Sequence, residues 1–433
     1  MPGIDTLLEH VQNLDGAMAD RAPDFRDPVT LRAARELADE ILARSTDPSL
    51  LWALEQAGAA PDAGLSRLTR LAVKLARSRA ILLSTERPVT ASVVVPAYGE
   101  NVRLLPRGPG AGQDPNGEDF VQQKSAQLEW LFAGTTGRYR VVVVDDMSKP
   151  EPVTSGAAIA QVVAEHGVPH FDVVFLADGV RDEKSGTPLM AAALRGVEIP
   201  KNTRKAGSVY YGVAKAIEAE GTGDDHIVLI TDCDLSVDLG QLGNLMAPIL
   251  TGGAVAAAGS RRLPESVLEI EAGRNTRANA ARYFREILLQ GLLPRDTQCG
   301  AKAFAAASIA EVVTSGLEVL DFSFDIELLT KTALRFGPER ITAVPVAWFD
   351  SSELTTTDSS VHFGIMQAQL AIALANGTGS GEVFDQAVAV AHKLTQEESV
   401  WLQFLDRLAA DQELLDGIGR FDTTLLPRLE RLV

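Results

Sequence analysis

The sequence has little cysteine: Cys233 and Cys299 are the only two among 433 residues. So few cysteines exclude a disulfide framework and favour a reducing compartment, so a cytoplasmic location is expected. Long apolar runs are also lacking, since the most apolar segments, such as residues 249–258, are far shorter than the ~20 residues that cross a bilayer. The N-terminal residues carry acids and no apolar run of signal-peptide length. Neither a transmembrane segment nor a secretory leader is predicted.

Positive charge is also in deficit. The chain has 40 Lys and Arg against 58 Asp and Glu, for a formal charge of −18 and a pI near 4.8. Such a surface is unsuited to phosphate polyanions or to anionic lipid, so no nucleic-acid partner is expected. The 46% hydrophobic and 23% charged content is ordinary for a globular chain with a sizeable core.

The periodicity of apolar residues changes twice along the chain. Residues 1–88 have apolar positions at helical spacing, as do residues 361–433, whereas β-branched runs dominate between them. We therefore predict a helical N-terminal region (1–88), a central domain (89–360) and a helical C-terminal region (361–433). One apolar stripe of the last region consists of Trp401, Phe404, Leu405, Leu408, Leu414 and Leu415. Such helices pack on protein or on a second subunit, which leaves a homodimer as an open alternative.

Short apolar runs alternate with helical stretches in the central domain. These runs are residues 92–96, 141–145, 173–177, 227–231, 254–259 and 341–346. The pattern predicts an α/β fold with a mostly parallel, doubly wound sheet, whose ligands bind at the carboxyl ends of the strands. A stretch rich in Gly and Pro within residues 103–120 interrupts the first expected helix and is predicted to be a surface loop that could act as a lid.

Two acids follow one predicted strand directly. Asp232 and Asp234 flank Cys233 immediately after residues 227–231, where a ligand is expected. Two hard oxygen donors suit Mg²⁺ or Mn²⁺, which keeps open positions for water and for phosphate oxygens. The alternative is a solvated turn, because an isolated Asp-x-Asp is common.

Several motifs occur together in one order: SVVVPAYGE, VVVVDDMSK, NTRKAGSVYYGVAKA, ITDCDLSVDL, AAGSRR, RDTQCGAKAF, FSFDIELL and VPVAWFDSSE. Over residues 91–355 the chain resembles the polyprenyl-phosphate sugar synthase branch of the inverting family-2 glycosyltransferases. The resemblance implies a GT-A fold and an enzyme that transfers a sugar from a nucleotide-sugar donor with the help of Mg²⁺ or Mn²⁺. Asp232 and Asp234 are then the metal ligands, and Asp234 serves the leaving group.

The resemblance also implies which residues bind the donor. They are Pro96, Ala97, Tyr98 and Glu100 in the first nucleotide loop, Asp145 and Asp146 at the base, Arg204, Lys205 and Gly207 at the phosphates, and Asp232, Cys233, Arg261, Gln298 and Lys302. A carboxylate accepts N–H groups of uracil or guanine, so UDP and GDP both fit. The alternatives are that the two acids cap the turn that follows them and that the basic residues form a solvated turn, and Arg204 departs from a usual glycine.

Carboxylates near the acceptor complete the implied site. Asp325 and Glu327 stand where inverting relatives place such groups, and Asp325 could remove a proton from an acceptor hydroxyl or only orient the acceptor. His362 is a candidate third metal ligand, although a lone histidine is usually structural. Arg262 and Arg295 could compensate the charge of a diphosphate or of a phosphorylated acceptor. Cys299 is predicted to be a buried, inert thiol.

Three functions remain as hypotheses. The first is inverting transfer to a small, water-soluble acceptor. The second is a retaining transferase similar to the glucosyl-3-phosphoglycerate synthases, against which the DTQCGAKAF segment argues. The third is a sugar-nucleotide-binding regulator without turnover, against which the joint presence of Asp232, Asp234 and Asp325 argues. The anomeric configuration of the product separates the first two, because a scaffold does not assign stereochemistry.

Overall fold

A computed structural model describes residues 3–18, 24–182, 186–269, 275–350 and 359–433. The strands are β1 (Thr90–Ala97), β2 (Arg138–Asp145), β3 (Phe171–Phe175), β4 (His226–Ile230), β5 (Ala256–Ser260), β6 (Val267–Glu269), β7 (Lys302–Ala305), β8 (Ile341–Pro345) and β9 (Ala347–Phe349).

Helices surround these strands. The first of them are α1 (Ile4–Met18), α2 (Pro28–Leu42), α3 (Pro48–Ala59), α4 (Arg67–Ser84), α5 (Phe120–Phe132), α6 (Ser155–His166), α7 (Leu176–Arg181), α8 (Pro188–Ala193) and α9 (Ala206–Glu220). The others are α10 (Leu242–Thr251), α11 (Asn275–Leu288), α12 (Ala306–Thr314), α13 (Phe324–Phe336), α14 (Ser359–Asn376), α15 (Glu382–Leu394), α16 (Glu398–Ala409), α17 (Gln412–Gly419) and α18 (Leu426–Glu430).

The main sheet has seven strands in the order β3-β2-β1-β4-β7-β5-β8, and β6 pairs with β9 beside it. Every pairing in the main sheet is parallel except the two that β7 makes with β4 and β5. The predicted α/β fold with a mostly parallel, doubly wound sheet is therefore confirmed. All six predicted runs lie in this sheet, although the run at 173–177 ends early, because α7 begins at Leu176.

Strand β7 was not among the predicted strands, and it is the antiparallel one. It places Lys302 opposite Ile230 of β4 and opposite Ala258 of β5. Because β7 runs against its neighbours, its first residue lies at the edge where the parallel strands end. We call this edge the carboxyl edge of the sheet.

Alternate residues of the strands face two separate apolar cores. Val94, Val144 and Ile230 belong to the core formed with α9, α11–α13 and the C-terminal helices. Val93 and Leu229 belong to the other core, which includes α2–α5 and α10. This burial on both faces explains why the strand sequences are continuously apolar.

The helical regions at the two ends therefore cover opposite faces of the sheet. Residues 28–84 pack on one face, where Arg35 lies 3.6 Å from Asp238 and Asn244 donates to the carbonyl of Lys74. The predicted C-terminal stripe is buried on the other side, with Trp401 fully buried. No described helix is both long and apolar enough to cross a membrane.

Candidate functional site

The candidate site lies at the carboxyl edge of the sheet. Strands β1, β2, β4 and β5 all end there, and β7 begins there. The residues that follow or precede these strand ends include most of those predicted from sequence. In an open α/β sheet this edge is the usual position of a ligand.

Asp232 is paired with a lysine of the chain itself. The Lys205 ammonium donates a short hydrogen bond to Oδ1 of Asp232, whose side chain is 33% exposed. Burial alone would raise the pKa of Asp232, but Lys205 outweighs it and lowers that pKa below its ordinary value. Gly300 lies against this carboxylate, where a Cβ atom would collide with Oδ2 of Asp232. The site is therefore shaped to hold a carboxylate that a cation can reach.

Asp325 lies close to a second lysine. The Lys302 ammonium is 2.8 Å from Oδ1 of Asp325, and both side chains are buried. Burial raises the pKa of Asp325, while Lys302 and Lys205 oppose the shift. Lys205 interacts electrostatically with both Asp232 and Asp325. These two carboxylates raise the pKa of Lys205, although burial alone would lower it. Two carboxylates and two ammonium groups therefore form one charge cluster.

Asp234 lies among charges that sequence reasoning missed. Its carboxylate accepts hydrogen bonds from the backbone N–H and hydroxyl of Ser236, at 3.2 and 2.5 Å. The Lys124 ammonium of α5 is completely buried, has no hydrogen-bond partner among the described residues and interacts electrostatically with Asp234. A buried ammonium of this kind offsets the charge of nearby carboxylates.

Both ends of the loop between β1 and α5 make polar contacts at the site. Arg103 donates to Glu100 at 2.5 Å and lies 3.5 Å from Glu118. Glu118 is buried and accepts the N–H of Leu235 at 2.9 Å, directly after Asp234. Burial and Asp234 raise the pKa of Glu118 to about 7. The predicted surface loop thus contributes an acid to the site.

The two acids at the end of β2 accept hydrogen bonds mainly from backbone N–H groups. Asp145 accepts the N–H groups of Ser148 and Gly156, at 2.9 and 2.7 Å, so it bonds to the turn that follows β2 and to the first turn of α6. Asp146 is 1% exposed and bonds to Thr203 and Lys205. Asp145 therefore makes the bond to the following turn that was the alternative for these acids, whereas Asp146 bonds to a segment 57 residues away.

Arginines gather past β5. Arg261 forms a bidentate pair with Asp296 at 2.8 Å. Arg282 and Arg295 lie over the ring of Phe421, at 5.1 and 5.5 Å from its centroid. Burial and the neighbouring arginines lower the pKa of Arg282 to about 10. Within the described ranges, no acid forms a salt bridge with Arg262, Arg282 or Arg295, and this cluster, in an acidic chain, suits an anion.

Other residues that the sequence predicts for donor binding lie near the ends of β1, β4 and β5. Tyr98 is 39% exposed beyond Pro96 and Ala97 of β1, and the side-chain nitrogen of Gln298 is buried without a partner among the described residues. The Cys233 thiol donates to the carbonyl of Pro96.

The remaining predicted residues lie in or beside helices. Gly207, in the first turn of α9, has no room for a Cβ atom beside Thr203. Glu327 accepts the N–H groups of Glu318 and Val319, so it supports a loop. His362 lies in α14, and the described residues contain no group of three or more His, Cys, Asp or Glu suited to a metal. Burial raises the pKa of Cys299 to about 11, which agrees with an inert thiol.

The sequence is similar to glycosyltransferases. Glycosyltransferase AglD of Haloferax volcanii is 31% identical over 180 residues, which are 41% of this chain and 27% of that protein. The chain thus spans about a quarter of the length of that relative. Dolichyl-phosphate beta-glucosyltransferase of Drosophila melanogaster is 28% identical over 287 residues, which are 63% of this chain and 72% of that one. No protein-family model matches the chain.

Solved structures give weaker likenesses. A glucosyl-3-phosphoglycerate synthase from Mycobacterium tuberculosis, in complex with Mn²⁺, UDP-glucose and glycerol 3-phosphate, has a TM-score of 0.43 and 16% identity over 71% of this chain and 86% of that one. A mannosyl-3-phosphoglycerate synthase from Rubrobacter xylanophilus has a TM-score of 0.41 and 15% identity over 71% of this chain and 79% of that one.

Proposed function

We propose that the protein is a GT-A glycosyltransferase that transfers the sugar of a UDP-sugar or GDP-sugar to a small acceptor that carries an anionic group. The transfer inverts the configuration at the anomeric carbon. The observation that carries the proposal is the cluster of Asp232, Lys205, Asp325 and Lys302 at the carboxyl edge. This cluster contains a carboxylate that could bind a metal ion, ammonium groups that could bind phosphates, and a second carboxylate that could act as a base. The sequence similarity to two glycosyltransferases supports it.

The donor binds between the ends of β1, β2 and β4 in this proposal. Asp232 and Asp234 would hold Mg²⁺ or Mn²⁺, because carboxylate oxygens are donors that these cations prefer, and Gly300, which has no Cβ atom, leaves room for the Asp232 carboxylate. When bound, the cation offsets the charge of the departing nucleoside diphosphate. Lys205 then moves its ion pair from Asp232 to the diphosphate, while Gln298 offers an N–H group.

Asp325 acts as the base for a hydroxyl acceptor. The acceptor oxygen attacks the anomeric carbon, the bond to the diphosphate oxygen breaks, and the proton passes to Asp325. Lys302, 2.8 Å away, favours the ionised form of this carboxylate and so opposes the rise in its pKa that burial causes. An acceptor phosphate that is already ionised attacks without this proton transfer.

The arginines past β5 bind the anionic group of the acceptor. Among the described residues no acid forms a salt bridge with Arg262, Arg282 or Arg295, whereas Arg261 is paired with Asp296. A phosphate or carboxylate would complete this cluster with charge-assisted hydrogen bonds. Phosphates of a soluble metabolite and of a polyprenyl lipid share this chemistry.

A transfer assay tests the proposal. Purified protein with Mn²⁺ is given UDP- or GDP-sugars together with either soluble hydroxyl and phosphate compounds or polyprenyl phosphate in detergent. We expect release of the nucleoside diphosphate with a soluble acceptor and without detergent. Turnover on the lipid alone would overturn the soluble acceptor, and no turnover with any pair would favour a non-catalytic binding protein. The anomeric configuration of the product, read by NMR, separates inversion from retention.

A further inference from the structure

The loop before α9 has an unfavourable backbone conformation. Arg204 and Lys205 have φ angles of +46° and +89°, which side-chain-bearing residues rarely adopt. Lys205 occupies the N-cap position of α9, and its side chain makes no capping hydrogen bond there. The loop therefore needs hydrogen bonds from elsewhere to keep this conformation.

Asp146 supplies those bonds. Its Oδ1 accepts the hydroxyl of Thr203 at 2.8 Å, its Oδ2 accepts the N–H of Lys205 at 3.0 Å, and both oxygens share the N–H of Thr203 at 3.0 and 3.1 Å. The Thr203 hydroxyl in turn accepts the N–H of Gly207 at 2.9 Å, which extends the network into α9. We call Asp146 and Thr203 the loop clamp.

The clamp leaves Asp146 little capacity for a ligand. The carboxylate is 1% exposed, and the donors of the clamp reach both of its oxygens. Three donors already share the two oxygens, and the low exposure leaves an N–H group of a nucleotide base little access to them. The clamp also fixes the backbone of Lys205, whose ammonium contacts Asp232.

We propose that Asp146 is a positioning residue that holds Lys205 over Asp232, rather than a group that reads the donor base. This inference rests on the proposed function for the role of Lys205 and Asp232 at the donor diphosphate. The clamp itself is a structural claim that can be tested apart from that function.

The test combines backbone hydrogen exchange with nucleotide binding. Asp146→Asn replaces an acceptor by an NH₂ group that faces backbone donors, and Thr203→Val removes the hydroxyl while it keeps the carboxylate. We expect amide exchange across 202–208 to accelerate about tenfold or more in each variant. Asp178→Asn is the matched control, because Asp178 is exposed and bonds to Arg181 at the surface.

Nucleotide binding with Mn²⁺ gives the second readout, with UDP, GDP, ADP and CDP as probes. Both variants should weaken binding by similar factors, and the double variant should be no weaker than the worse single one, because both remove one clamp. The order of preference among the four nucleotides should stay unchanged. If Asp146→Asn fails to fold, Thr203→Val carries the test alone.

Two results would overturn the inference. One is unchanged exchange across 202–208 in both variants. The other is a changed order of nucleotide preference in Asp146→Asn but not in Thr203→Val, which is the signature of a base reader. If the unaltered protein binds none of the four nucleotides, the proposed function fails, and the exchange result still decides whether the clamp exists.

Discussion

The carboxylates at the end of β2 and those of the charge cluster, Asp232 after β4 and Asp325 in α13, lie at the same edge of the sheet, yet they have different partners. Asp145 and Asp146 bond mainly to backbone N–H groups of their own chain. Asp232 and Asp325 are instead paired with the ammonium groups of Lys205 and Lys302. A backbone donor cannot leave without unfolding a loop, whereas a lysine can exchange its carboxylate for a phosphate. The first pair therefore supports structure and the second is available for chemistry.

The largest expected effect is on the β4 side. Asp234→Ala should lower kcat about a thousandfold or more, which corresponds to several kcal/mol of lost leaving-group stabilisation. Folding should persist, because the side chain serves a ligand rather than a core. Sugar transfer and urea unfolding are the two measurements. Activity within tenfold of the unaltered protein would remove Asp234 from the mechanism.

A smaller effect is expected from the ion pair of Asp325. Burial raises the pKa of Asp325 and Lys302 opposes that rise, so Lys302→Gln should raise the pKa further. A base must be ionised to act, so the acid limb of the kcat/KM profile for a hydroxyl acceptor should move to higher pH.

Lys331→Gln is the matched control for that shift. Lys331 pairs with Glu327 at 3.0 Å, outside the charge cluster. The acid limb of the kcat/KM profile of Lys331→Gln should coincide with that of the unaltered protein. Equal shifts in the two variants, or no shift in Lys302→Gln, would speak against Asp325 as the base. Urea unfolding checks that both variants remain folded at each pH.

The smallest expected effect is on the β2 side and concerns stability. Asp145→Asn should lower the free energy of unfolding by about 1–2 kcal/mol, because the N–H groups of Ser148 and Gly156 lose their charge-assisted hydrogen bonds. Asp178→Asn, at an exposed pair with Arg181, should change it by less than about 1 kcal/mol. Equal unfolding curves for the two variants would contradict the structural role of Asp145.

Much of the sheet was predictable, because the runs SVVVP, VVVVD and IVLIT are buried on both faces and need no polar alternation. Strand β7 was not, because KAFA is short, begins with a lysine and becomes a strand only through its pairing with β4 and β5. The carboxyl edge could still be predicted, because the parallel strands of an open sheet all have their carboxyl ends at the same edge.

The pairing of charges could not be predicted in the same way. Lys205 and Asp232 are 27 residues apart, and Asp146 and Thr203 are 57 apart, so their contacts depend on the packing of whole elements. Lys124 is a lysine in an ordinary helical stretch, and its burial arises only when α5 packs against the segment that follows β4. A sequence pattern identifies residue types at a site, but the assembled fold selects their partners.

Nucleotide binding with and without a divalent cation tests the central claim most directly. The thermal unfolding midpoint is measured with UDP or GDP in Mn²⁺, in Mg²⁺ and in EDTA, since a ligand of the folded state raises this midpoint. We expect UDP or GDP to raise it only when a cation is present, because Asp232 and Asp234 repel a diphosphate unless they are neutralised. An equal rise in EDTA would contradict a metal-bridged donor site at these two carboxylates.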